Sequence, residues 1–320
     1  MLRGDAPVQA NTRNARSAPQ PTHRGALYRG DDPAMVLREP RPTIRDAFTY
    51  GSQAVPHRKV DSIACSLTVV VAALLVSANA LADPIAPLVR EAPAPKSILF
   101  VGNSFTYFNN SLHMHVRELT HSVFKQRKKN NKKIYAKAMT ISGAYLPDHV
   151  LGAKGMITEF KNERKPGPWD VVVVQGYSRG PIEEETAAAF RHSARTLDRW
   201  IRASGSTTVL FMTWAYEHKP EMTAPLAAEY TRLGNDIGAL VVPVGLAFER
   251  ARAEDPTMDL YDPDKIHPSP LGTYLAANVF FAALYRESPM GAEYDAGLSE
   301  AEAAFAQKIA WTTIKGFYAD

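Results

Sequence analysis

The sequence predicts a doubly wound α/β fold, a three-layer sandwich built on a five-stranded parallel sheet. Short apolar runs at 97–101, 134–140, 171–175, 208–213 and 240–244 are continuous rather than alternating, as in strands covered on both faces. Stretches with helical spacing fall at about 110–125, 145–160, 183–203, 222–239, 269–286 and 298–315. Strands alternating with helices at this distance form parallel sheets. No internal repeat and no second domain is read in this region.

The elements bring chemistry with them in chain order. The first run, SILFVGNSFTYFNN, passes through Gly102-Asn103-Ser104 into a polar helix start. Ligands of open parallel sheets sit beyond the carboxyl ends of the strands, and free N–H groups at a helix start can hold an anion. Ser104 is therefore placed to act as a nucleophile with its own N–H aimed at a developing oxyanion. Asn103 and Ser104 would equally serve as plain helix caps. After the second run, TISGAYLPDH offers Gly143 either as a second N–H donor or as the hinge of a tight turn. The third run ends in VVVVQGYSRGP and the fourth in FMTWAYEHKP. Trp214 and Tyr216 thus reach the same sheet edge, where aromatic rings can stack on a sugar or acyl chain or pack beneath a loop.

Beyond the fifth run, DLYDPDKIHPSPLGTYLAANVF places Asp264 and His267 three residues apart in a loop stiffened by Pro263 and Pro268. An imidazole must take the serine proton, and a carboxylate must fix its tautomer and stabilise its cation. An Asp-x-x-His block after five strands, with a Gly-x-Ser turn after the first, supplies both.

The chain has 320 residues and a formal charge of +4, but the excess is uneven. Residues 1–60 hold 10 Lys and Arg against 5 Asp and Glu, and residues 62–320 hold 27 of each sign. Overall basicity is then poor support for a nucleic-acid partner. The basic run from Lys125 to Lys133 reads as a solvated loop. His113 and His115, two apart on a predicted helix, point to different sides and do not suggest a shared metal site.

A positive flank, an apolar run over 63–76 and an Ala80-Leu81-Ala82 ending have the form of a secretory signal peptide cleaved after Ala82. Retention as a membrane anchor is the alternative reading of 61–82. Residues 1–60, rich in Arg and Pro, read as a disordered or mis-assigned extension with the true start downstream, and 83–95 as a linker to a domain at 96–320. Cys65, the single cysteine, lies in the apolar segment and cannot form an internal disulfide.

These motifs resemble the SGNH hydrolase superfamily, the GDSL-like esterases and lipases, over about 96–281. Gly102-Asn103-Ser104 matches the nucleophile turn, with Asn103 for the usual Asp. Asp264-Lys265-Ile266-His267, followed by Pro268 and LGTYLAA, matches the closing block. Gly143 sits where the family's second-block glycine falls. The third block, G-x-N-D in the family, has no Asn here. Ser178 takes its slot when the glycines are aligned. Gln175, at the strand end, carries an amide that could do the same work, and the stretch is similar to the Q-G-E-S of a carbohydrate-acetylesterase branch, which favours Gln175.

The resemblance implies a flavodoxin-like SGNH fold and an exported serine esterase, secreted or periplasmic, with Ser104, His267 and Asp264 as triad. Ser104, Gly143 and Gln175, or Ser178 in place of Gln175, would form the oxyanion hole. Asn103, Tyr177 and Trp214 are candidate substrate contacts. No metal or organic cofactor is implied. The expected partner is a small-molecule or carbohydrate ester, O-acetyl groups included, with no nucleic acid and no membrane unless 63–82 is retained. The same triad would suit an O-acyltransferase, and the altered third block an inactive glycan-binding domain.

Overall fold

The computed structural model describes residues 85–319, apart from 130–133, 159–160, 163–164 and 167. The N-terminal extension, the segment 61–82 with Cys65, and the end of the basic run lie outside the described residues.

Five strands form one parallel sheet: β1 (Ser97–Gly102), β2 (Tyr135–Thr140), β3 (Val171–Val174), β4 (Thr207–Phe211) and β5 (Leu240–Val242). Their spatial order is β2-β1-β3-β4-β5, so the chain reverses direction across the sheet next to β1. Ligands of such sheets gather at that reversal. Register makes the place definite, because Gly102 pairs with Thr140 and Val101 with Val174. The residues that follow β1, β2 and β3 therefore emerge level with one another.

The helices that cover and flank the sheet are α1 (Ser104–Tyr107), α2 (Leu112–Gln126), α3 (Leu146–Thr158), α4 (Glu184–Ala203), α5 (Thr223–Ile237), α6 (Val244–Glu254), α7 (Pro270–Tyr285) and α8 (Glu300–Phe317). Helices α2, α7 and α8 pack together on one face, while α3 and α4 pack together on the other, with α5 beside α4. The core runs through the strands: Ile98, Leu99, Phe100, Val101 and Val171 to Val173 are wholly buried. Each such side chain contributes about 1.5–3 kcal/mol by leaving water. Helix α7 is buried along its whole length, which explains an apolar stretch with no polar face. No helix among the described residues is long and apolar enough to cross a membrane.

Two expectations need correction. Strand β2 is half exposed, with Lys137 in solvent, because it is the sheet's edge and has one neighbour only. The apolar run 240–244 does not stay extended to its end: Pro243 caps α6, whose buried Val244, Ala247, Phe248 and Ala251 follow helical spacing. That helix was hidden by its overlap with the strand run. The helix expected at about 110–125 is α2, and Asn109, Asn110 and Ser111, at φ 49°, 65° and 69°, separate it from α1. Three successive non-glycine residues in the left-handed region are uncommon, and the first of them, Asn109, proves to serve the site.

Candidate active site

Ser104 opens α1 directly beyond β1 and is 9% exposed. Asn103 caps the helix, its Oδ1 accepting the Phe105 N–H at 3.2 Å. Gly102 has to lack a side chain. A Cβ there would lie 2.3 Å from Gln175 Oε1 and 2.6 Å from Thr106 Oγ1. The Gly-Asn-Ser turn thus combines both readings of the sequence: it caps a helix and it presents a serine hydroxyl at the sheet edge.

The loop after α6 brings the partner groups. His267 Nε2 lies 2.8 Å from Ser104 Oγ, and His267 Nδ1 lies 2.5 Å from Asp264 Oδ2. A carboxylate oxygen can only accept, so Nδ1 carries the ring proton and Nε2 is left bare to accept from the serine. Asp264 Oδ1 in turn receives the Ile266 and His267 N–H groups, each at 2.9 Å. Partial burial alone would raise the Asp264 carboxyl. The hydrogen bonds from the His267 ring and from the two N–H groups, with the nearby imidazole charge, outweigh it and hold the group below the usual carboxylate range.

Packing fixes the imidazole. Phe108 lies flat on its face, ring centroids 4.1 Å apart and planes 6° from parallel, and Phe105 meets its edge at 5.7 Å. Asn109 Nδ2 donates to the Pro268 carbonyl at 2.7 Å and to Thr273 Oγ1 at 2.9 Å. His115 Nε2 donates to the Asn109 carbonyl and its Nδ1 accepts from Tyr294 Oη at 2.8 Å. The left-handed segment after α1 is therefore a strut between the serine-bearing and histidine-bearing segments. His113 turns away, to Ser111 Oγ at 2.7 Å. In the basic run, Arg127 and Lys129 both pair with Glu287.

A cavity of about 320 Å³ opens over the serine, lined by Asn103, Ser104, Gly143, Tyr177, Ser178, Tyr216 and His267 among others. Gly143 has φ +65° with open space where a Cβ would stand, so backbone conformation rather than crowding favours glycine there. Ser178 Oγ and Tyr216 Oη are 2.7 Å apart. Burial raises the Tyr216 phenol; the bond with Ser178 and the Arg179 guanidinium work against this, yet it stays above its ordinary value and keeps its proton at neutral pH. A larger hollow of about 480 Å³, between α6 and residues 215–223, contains neither Ser104 nor His267.

Two expected site residues point elsewhere. Gln175 is 1% exposed and its amide is fully engaged. Oε1 accepts the Asn103 N–H at 3.0 Å and the Thr106 hydroxyl at 2.7 Å, while Nε2 donates to Asn103 Oδ1 at 2.7 Å and to the Gly176 carbonyl at 2.8 Å. Both amide hydrogens are spent, so none is left for an oxyanion. Trp214 is wholly buried, sandwiched between Phe105 at 4.3 Å and Phe248 at 4.5 Å. Its Nε1–H donates to the Ile266 carbonyl at 3.0 Å, which makes it a support for the histidine loop and not a substrate contact. Sequence reasoning missed Thr106, Phe108 and Asn109. The only signal for them was closeness to Ser104 in the chain.

Fold and side-chain cluster together define a class: a doubly wound α/β protein with Ser, His and Asp joined by hydrogen bonds at the strand ends. No family model matches the sequence, and no curated protein does. Among solved structures, a DUF4886 family protein from Bacteroides uniformis is 19% identical and aligns over 68% of this chain and 94% of its own, with a TM-score of 0.50. A candidate SGNH hydrolase from Slackia heliotrinireducens is 26% identical over 61% of this chain and 100% of its own, with a TM-score of 0.46. The psychrotrophic esterase EstA from a Pseudoalteromonas species is 12% identical over 60% and 97%, also at 0.46. The chain is similar in fold to the DUF4886 family protein.

Proposed function

We propose that the protein is a serine esterase of the SGNH superfamily that hydrolyses carboxylic esters through an acyl-enzyme. The observation that carries this reading is the continuous chain Ser104 Oγ, His267 Nε2, His267 Nδ1, Asp264 Oδ2 beside an open cavity. His267 takes the Ser104 proton as Oγ attacks the ester carbonyl, then returns it to the leaving alcohol; water repeats the sequence to release the acid. Asp264 holds the tautomer and stabilises the imidazolium. The Ser104 and Gly143 N–H groups are the backbone donors to the oxyanion.

With Gln175 spent, the side-chain donor is assigned to the Ser178 and Tyr216 hydroxyls. Two hydroxyls bonded to each other use one proton between them and leave one free to donate into the cavity. Whichever of Tyr216→Phe and Ser178→Ala removes the hydroxyl with the free proton is expected to lower kcat by about 10²-fold with little change in KM, the cost of one oxyanion donor, and the other variant by less. Unchanged kcat in both variants would remove the pair from the mechanism.

The cavity's modest volume suits a short acyl group, and the Tyr177 and Tyr216 rings on its wall suit a sugar face. A carbohydrate O-acetyl ester is thus the proposed substrate class. Turnover of aryl acetate in preference to longer aryl esters, with a fluorophosphonate probe labelling Ser104, tests the function. Products formed with an acceptor sugar present separate hydrolysis from acyl transfer, and glycan binding without turnover or labelling would replace the esterase reading. Export with cleavage after Ala82 rests on the 61–82 segment. N-terminal sequencing of the mature protein should begin at Asp83, and a retained segment would favour the anchor.

A further inference from the structure

We infer that Gln175 and Asn103 form a paired-amide brace that sets the spacing of the two backbone oxyanion donors, which makes both of them positioning residues. The inference rests on the esterase reading of Ser104. Its basis is a continuous set of hydrogen bonds across three strand ends. Gln175, beyond β3, bonds Asn103 twice, through the backbone N–H and through Oδ1. Asn103, beyond β1, passes the connection on, its Nδ2 donating to the Ala144 carbonyl at 3.1 Å. Ala144 follows Gly143 beyond β2, and Ser104 follows Asn103. Each end of the brace is thus one residue from an oxyanion N–H.

Backbone groups fix the orientation of both amides. The Asn103 N–H can only donate, so it must face Gln175 Oε1; the Gly176 carbonyl can only accept, so it must face Nε2. In the same way the Phe105 N–H selects Asn103 Oδ1 and the Ala144 carbonyl selects Nδ2. Neither amide can flip without losing three bonds, the one between Nε2 and Oδ1 included, in a site where Gln175 is 1% and Asn103 3% exposed. Gly102 completes the device, since any Cβ would collide with Gln175 Oε1. The departure from the family's third block acquires a role here: the amide that could have touched the oxyanion holds its donors in place.

Gln175→Glu tests this, because it preserves shape and exchanges the Nε2 donor for oxygen. The carboxylate would face Asn103 Oδ1 and the Gly176 carbonyl, and only its protonated form can still donate to one of them. At neutral pH kcat should fall about 10²-fold, the cost of misplacing reacting groups by about 1 Å, with KM within about twofold of the parent. The ratio of variant to parent kcat should rise as pH is lowered and the introduced carboxylate takes a proton. A purely structural role would lower thermal stability and leave that ratio flat with pH. Asn103→Ala should reproduce the fall in kcat without the pH dependence.

Amide hydrogen exchange is the activity-independent arm. Exchange at Asn103, and at Ala144, whose N–H bonds the Ile141 carbonyl at 3.3 Å, should be faster in Gln175→Glu than in the parent. Parent-like exchange, or parent-like kcat in both folded variants, overturns the brace. If the parent itself neither turns over esters nor labels, the esterase reading fails, and exchange still decides whether the brace exists. Should Gln175→Glu not fold, Asn103→Ala and Thr106→Val, which removes one bond to Oε1, decide by the same two readouts.

Discussion

Ser104→Ala should leave a folded protein with ester turnover lowered by on the order of 10⁶-fold and no fluorophosphonate labelling. The magnitude follows from what is removed: no other hydroxyl is bonded to His267 Nε2 among the described residues, so the acyl-enzyme route closes and only bound-substrate hydrolysis by water remains. On the rate scale this is about 8 kcal/mol of activation free energy. Stability should change little, since the Ser104 side chain contributes one hydrogen bond, to the partly exposed His267, and the helix is capped by Asn103 instead. Circular dichroism and thermal melting of the variant beside its activity separate the two effects. Turnover within about tenfold of the parent would remove Ser104 as nucleophile.

Replacing His267 with Ala should cost nearly as much, because serine and histidine act as one unit and the loss of either disarms both. The more informative comparison is with Asp264→Asn. An amide at that position can present N–H toward His267 Nδ1 and so favour the wrong tautomer, in which Nε2 carries the proton and cannot accept from Ser104. A loss of about 10⁴-fold is expected. It should appear in kcat with KM little changed, since neither side chain is needed to hold the ester in the cavity. Equal, small losses in both variants would point to a structural loop rather than a base and its orienting carboxylate. Asp264 is also part of the loop's own geometry through the Ile266 and His267 N–H groups, so thermal melting of the Asn variant belongs in the same experiment.

Much of this site could be read in the sequence because its parts lie on ordered local motifs. The Gly-x-Ser turn and the Asp-x-x-His loop are each contained in a few residues, and parallel strands carry their carboxyl ends to one edge whatever the intervening chain. Side-chain direction was not legible in the same way. Gln175 and Ser178 lie three residues apart beyond one strand, and only the path of the backbone decides that the first turns inward to Asn103 while the second faces the cavity. Trp214 shows the same limit: an indole at a sheet edge can meet a ligand or support a loop, and the flanking Phe105 and Phe248 rings, over a hundred residues apart in sequence, close the first option. The helix α6 was masked for a simpler reason, since the strand run 240–244 and the helical pattern share Val244.

The strut formed by Asn109 has a bearing on when the Ser-His-Asp cluster can come together during folding. Ser104 and His267 are separated by 163 positions in the chain, and the bonds that join their segments, from Asn109 to Pro268 and Thr273, span as far. Contacts of such long range are made late, after the intervening loop has been closed by the rest of the sheet. An emerging or truncated chain that ends before the histidine loop therefore holds an ordinary, unreactive serine. Covalent labelling of Ser104 would then serve as a clock for the last step of assembly, appearing only when β4, β5 and the histidine loop have docked.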